Sequence, residues 1–193
     1  MKSFLILSIA GAVAFSSCNN SNDAAKDSSS VKTADTTQST TQTAGEVKST
    51  TPVSDIVAGY IQLKNGLAND NGNEAADGGK FVVSALAKFD KASLSADQKK
   101  AYEDVADDVK ENAEHISENA GKMDHQREHF EMLSKDVYDL VKTFGAGQTL
   151  YQDFCPMYND KKGAAWLSET KEIKNPYMGQ KMTTCGSVKE ELK

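Results

Sequence analysis

The chain has 193 residues, 28 acidic against 22 basic side chains, a formal net charge of −6 and three cysteines, which is the scale of one modest domain. It carries no basic cluster and no aromatic residues interleaved with Lys or Arg, and this excludes nucleic acid as a partner, because phosphates demand a positive surface. A nucleophile elbow, a phosphate-binding glycine loop and a dinucleotide fingerprint are all missing, so no enzyme activity is expected.

Residues 1–17, MKSFLILSIAGAVAFSS, place a Lys ahead of an apolar run from Phe4 to Phe15, then small residues directly before Cys18. This is the pattern of a lipoprotein signal peptide, too short to span a membrane, with Cys18 as the lipidated residue. It predicts an envelope protein anchored in the membrane through Cys18 and facing the periplasm, with surface exposure left open. Residues 18–53 continue without one aromatic side chain and with apolar residues limited to Ala and isolated Val. Such a stretch cannot bury enough surface to offset its ordering, so it reads as a disordered tether reaching about 30 Å.

From residue 54 to 145 the apolar residues recur at helical spacing. The first helix carries Ile56, Tyr60, Leu63 and Leu67, with Ser54 or Asp55 as its cap and NDNGN as its stop. A second carries Phe81 or Val82, Leu86 and Phe89; Gly78 and Gly79 weaken the helix signal of its first turns. The third opens with Ser95 and Gln98 at capping-box spacing and continues through Tyr102, Val105, Val109, Ala113 and Ile116. Its acidic residues lie on a regular helix face without the glycine-turned loop of a calcium site, and read as a solvated face. A fourth starts at Asp124, carries Phe130, Leu133, Val137, Leu140, Val141 and Phe144, and stops at Gly145. Short connections between four amphipathic helices predict an all-α fold, an antiparallel up-down four-helix bundle.

Residues 146–193 differ: Pro156, Trp166 and Pro176 fall here among several glycines. This part is expected to be an irregular, loop-rich extension packed on the bundle, with one short strand at TLYQDF and another around KMTTC.

The extension also holds the remaining two cysteines, Cys155 in CPM and Cys185 in MTTCG. Residues two apart in an extended segment face one side, so Cys155 and Met157 suit one ion, and Met182 and Cys185 are three apart. Thiolate and thioether donors select soft ions, above all Cu(I). Two cysteines in an oxidising compartment also pair readily, and methionine also fills cores. The residues leave both readings open.

His125 and His129 are four apart on one helical face, a spacing that grips one ion through two imidazoles; exposed histidines without a ligand are the other reading. His115 would lie about 15 Å along the axis from His125 even on a continuous helix, so helix geometry alone does not add it.

Taken together, DHQREHFEMLSKDVYDLVKTFG and YQDFCPMYNDKKGAAWLSETKEIKNPYMGQKMTTCGSVKE resemble a bacterial envelope family of unknown function. That family occurs as standalone lipoproteins and as the terminal domain of copper- and silver-exporting efflux adaptors. The elements carrying the resemblance are C-P-M at Cys155–Met157, G-A-x-W-L-S at Gly163–Ser168, N-P-Y at Asn175–Tyr177 and M-x-x-C-G at Met182–Gly186. CPM followed later by CG is also similar to short heavy-metal-binding domains, from which this chain departs in having Tyr158 after Met157 and a single late cysteine. The resemblance implies a metal site of Cys155, Met157, Met182 and Cys185, joined by His125 and His129 if the extension folds back on the start of the fourth helix. It implies Cu(I), or Ag(I), as the ion, and heavy-metal efflux components as partners. The alternative expectation is a non-catalytic interaction or structural module stapled by a Cys155–Cys185 disulfide.

Overall fold

A computed structural model describes residues 51–193; the signal-peptide segment, Cys18 and nearly all of the expected tether lie outside the described residues. Four helices come first: α1 Ser54–Ala68, α2 Gly72–Ala87, α3 Ala96–Glu118 and α4 Met123–Phe144. Three strands follow, β1 Leu150–Cys155, β2 Ala164–Ser168 and β3 Ser187–Leu192. The protein is thus mostly helical with a small antiparallel sheet of order β2-β1-β3, and not purely helical. Among the described residues no helix is long and apolar enough to cross a membrane.

The apolar stripes account for the helices. Ile56, Tyr60, Leu63 and Leu67 of α1 are buried, as are Tyr102, Val109, Ala113 and Ile116 of α3 and Phe130, Leu133, Val137 and Leu140 of α4. At α3 the capping box forms as its spacing predicts: the Gln98 backbone N–H donates to Ser95 Oγ at 3.2 Å, and the Ser95 N–H to Gln98 Oε1 at 3.1 Å. In α1 neither Ser54 nor Asp55 is the cap. Val53 takes that position, with its side chain fully buried, and Ser54 Oγ accepts backward from the Thr51 N–H.

Gly78 and Gly79 do not fray α2. A Cβ on Gly78 would stand 2.4 Å from the Leu63 backbone nitrogen, and one on Gly66 2.4 Å from that of Ala75. The glycines therefore let α1 and α2 touch backbone to backbone, a gain in close packing that outweighs their weak helix propensity. In α2 Val82 is the buried residue and Phe81 is exposed.

The sheet departs from expectation at its third strand. KMTTC is no strand: Gly179–Lys181 forms a 3-10 turn and the Cys185 N–H returns to the Met182 carbonyl at 3.0 Å, so this backbone is satisfied locally. The strand lies beyond it, in SVKEEL, whose charged side chains suit a sheet edge and hide its strand character. Between β1 and β2 the chain reverses through Asn159, Asp160 and Lys161, at φ 50°, 53° and 68°, a left-handed turn that Asn and Asp tolerate best.

The sheet and the helices share one core. Tyr60 stacks on Phe130 at 5.3 Å, Phe130 meets Tyr177 at 5.4 Å, and Tyr177 meets Trp166 edge-on at 5.9 Å. The Tyr60 hydroxyl accepts the Leu167 N–H at 2.9 Å and shares a hydrogen bond with Ser134 Oγ, also at 2.9 Å. Burial in this setting pushes the Tyr60 phenol well above its ordinary pKa.

Candidate metal sites

The sequence-predicted donors fall into two groups. The first is the thiol pair. Cys155 closes β1, fully buried, and Cys185 follows the 3-10 turn; their Sγ atoms stand 2.8 Å apart although thirty residues separate them in the chain. Both are free cysteines.

Asn175 of the N-P-Y element builds the Cys185 side of this pair. Its buried side chain donates to the Cys185 carbonyl at 2.6 Å and accepts the N–H groups of Tyr177 and Met178 at 2.8 and 2.9 Å. Its backbone N–H bonds the Thr183 carbonyl at 2.8 Å. Gly186, at φ 144°, lets the chain pass over Trp166: a Cβ there would lie 2.9 Å from the indole. The Cys185 thiol pKa is raised, first by burial and then by its contact with Cys155, while the Met157 backbone N–H opposes the rise. Met157 and Met182, the predicted thioether donors, are 45% and 41% exposed, so both side chains stand at the surface, two and three residues along the chain from Cys155 and Cys185.

The second group is formed by imidazoles. Residues 119–122 turn α3 back against α4, and this hairpin sets His115, in the last turn of α3, opposite His125 and His129. One ring nitrogen from each of the three lies within 4.8 Å of the others. The His115 and His129 rings stack at 4.2 Å, and His125 stands edge-on to His129 at 4.5 Å. His115 is the residue that reasoning along one helix misses. The legible signal was the short connection, which places residues on either side of the turn face to face.

Burial, with the neighbouring His115 and His125, lowers the pKa of His129 below the ordinary imidazole value. Its Nδ1 is 2.9 Å from Asn112 Oδ1. The carboxylates of Glu111 and Glu128 stand 4.0 and 3.6 Å from His115 Nε2 and His125 Nδ1.

The extension does fold back on α4, but on another side. Arg127 Nε donates to the Pro176 carbonyl at 2.9 Å and its guanidinium pairs with Asp70, whose other oxygen accepts the Gln180 N–H at 2.9 Å. That backbone bond and the guanidinium hold the Asp70 carboxyl below its usual range. Tyr158, Asn159 and Tyr177 share a hollow with Arg127 and Glu131. Arg127 is two residues from His125, about 200° around the helix, and so the thiols and the imidazoles form two sets rather than one.

A third cluster of polar groups is buried beneath the sheet. Lys64, 1% exposed, donates to Glu169 at 2.7 Å. Burial lowers the Lys64 pKa, and the hydrogen bond and charge of Glu169 oppose this. Asp153, fully buried in β1 beside a bulge, finds no hydrogen-bond partner for either carboxylate oxygen, and its pKa is pushed up to about 7 by burial.

Residues 56–149 match the family described as Protein of unknown function (DUF3347). The match takes in the four helices and ends ahead of Cys155, so it covers the imidazoles and not the thiols. No curated protein and no solved structure matches the chain.

Proposed function

We propose that this chain is a lipid-anchored protein of the cell envelope that binds a soft metal ion, Cu(I) or Ag(I), for buffering or for handover to an efflux system. Lipid on Cys18 holds it to the membrane facing the periplasm, and the four helices form an up-down bundle against which the site-bearing extension packs. The observation behind this reading is the thiol pair: two cysteines from separate segments meet within 2.8 Å, their approach fixed by Asn175. Paired thiolates are the donors a soft ion selects, and Met157 and Met182 are the thioethers next to them in sequence. Cys155 and Cys185 would hold the ion through their Sγ atoms, giving up their protons and standing further apart than 2.8 Å.

The same 2.8 Å separation favours a second reading, in which the pair closes to a disulfide and the domain is a stapled interaction module. A crosslink over a loop of about 30 residues contributes roughly 3 to 4 kcal/mol in the chain-entropy estimate. An anaerobic Cu(I) titration of the full chain against a chromophoric chelator separates the two. Stoichiometric binding after thiol reduction, lost in Cys155→Ser/Cys185→Ser, is the expected outcome. Unchanged Cu(I) affinity in that double variant, or no competition in either redox state, overturns the metal reading.

A further inference from the structure

We propose that His115, His125 and His129 form a second metal site, independent of the thiols, for a borderline divalent cation of the Zn2+ or Cu2+ class. This goes beyond the soft-ion reading in ligand set, in place and in the ion chosen.

The three nitrogens already lie within 4.8 Å of one another. Around a tetrahedral ion with metal–nitrogen bonds of about 2.0 to 2.1 Å, ligand nitrogens stand about 3.3 Å apart. Half-buried rings on two packed helices cover that difference by small side-chain rotations, without moving backbone. Each helix contributes from a fixed position: α4 gives a pair one turn apart, and α3 gives the third ligand across the hairpin. Three protein nitrogens leave a fourth position open to water or to an exchangeable ligand. Imidazole suits Zn2+ and Cu2+, whereas the soft Cu(I) is drawn to thiolate.

Asn112 supplies the second observation. Its amide nitrogen donates to the Asp108 carbonyl at 2.9 Å, which settles which end of the amide faces the imidazole. The oxygen is therefore turned to His129 Nδ1 at 2.9 Å. An amide oxygen can only accept, so Nδ1 keeps its proton and the lone pair of His129 sits on Nε2. This is the outer-shell bond that fixes the tautomer and ring plane of a metal-ligating histidine. Glu111 and Glu128 face His115 and His125 and supply negative charge that neutral imidazoles lack. Asp108 and Asp136 line the adjoining groove, where Lys135 is the only opposing charge among its lining residues.

The test is a Zn2+ titration of the full chain against a chromophoric chelator, with Co2+ as a spectroscopic probe. One equivalent should bind to the wild type and to Cys155→Ser/Cys185→Ser alike, with a Co2+ spectrum free of thiolate charge-transfer bands. Binding should vanish in His115→Ala/His129→Ala and weaken about 10- to 100-fold in Asn112→Leu, the usual effect of losing an outer-shell partner. Ring resonances of the three histidines in the wild-type chain give a readout that does not depend on a variant folding, and all three should shift until one equivalent is reached. Rings that stay in place, zinc affinity equal in wild type and the double histidine variant, or thiolate bands in the Co2+ spectrum would each overturn the site. Since the thiol double variant keeps this site, its failure and the failure of the Cu(I) reading are read from different proteins.

Discussion

The helices and the strand-bearing extension reach stability by different routes. In α1–α4 most of the work is done by continuous apolar stripes, although Lys64, Asn112, Gln126, Arg127 and Ser134 are buried among them. The extension is held by single polar contacts to backbone: Asn175 on Cys185, Tyr177 on the Ala165 carbonyl at 2.6 Å, Arg127 on Pro176, Tyr60 on Leu167. Of the four buried side-chain atoms that lack a hydrogen-bond partner among the described residues, three belong to the extension, two on Asp153 and one on Trp166. Apolar burial is spread over many neighbours, whereas each of these backbone groups depends on one side chain. The difference implies a rigid helical frame and an extension that adjusts locally, which the proposed opening of the thiol pair around an ion would need.

The largest effect should come from erasing the boundary between the two. Phe130 of α4 touches both Tyr60 and Tyr177, so Phe130→Ala removes packing from helix and extension together. A loss of about 3–5 kcal/mol is expected for such a buried ring. Chemical denaturation followed by far-ultraviolet circular dichroism and by Trp166 fluorescence should give coincident transitions in both proteins. Separate transitions in the wild type would show that the extension folds as a unit of its own.

A second effect is a pH dependence whose largest single part originates in the extension. Burial raises the folded pKa of Asp153 from 3.8 to about 7. Below pH 4 the group is protonated in both states and costs nothing. As pH rises from there to 7 the unfolded chain releases a proton that the folded chain keeps, so stability falls across this window and levels off above it. At about 1.4 kcal/mol for each pH unit between the two pKa values, less what nearby solvent screens, the loss is on the order of 3 kcal/mol. Asp136, whose pKa burial raises to about 6, adds a slope of the same sign in α4, while the lowered pKa values of Asp70 and Glu169 act oppositely. The difference between wild type and Asp153→Asn isolates the one residue: the variant should be the more stable at pH 8, with the advantage vanishing near pH 4. An advantage independent of pH would show that Asp153 is ionised throughout.

What could be read from the sequence follows the same division. The four helices, their buried faces and the Ser95 capping box were legible because apolar spacing and capping are local. Val53 at the α1 cap was not, because its burial depends on partners distant in sequence. The α2 glycines misled for a related reason: Gly78 admits the backbone of α1 and Gly79 that of α3, approaches that propensity does not contain. β3 was hidden by its charges, and β1 stood out by its aromatic and apolar residues. At the candidate sites the donor types were legible and the grouping was not. Spacing along α4 pairs His125 with His129, but only the hairpin adds His115, and only the return of the chain through Asn175 brings Cys185 to Cys155.

The smallest effect tests the extension by itself. In Asn175→Ala the Tyr177 and Met178 N–H groups and the Cys185 carbonyl lose their partner. Water can reach part of this loop, so the cost should stay at about 1–3 kcal/mol, the penalty for a buried polar group left unmade. Hydrogen exchange should quicken from residue 175 to 186 and stay unchanged in α1–α4, because no helix backbone bond passes through Asn175. Release of Cys185 from its fixed approach should slow the oxidation of the Cys155–Cys185 pair while leaving the three imidazoles untouched. Faster exchange throughout α4 would mean that the helices borrow their stability from the extension, and the two regions would then have to be treated as one cooperative unit in which opening of the thiol pair is felt at His125 and His129.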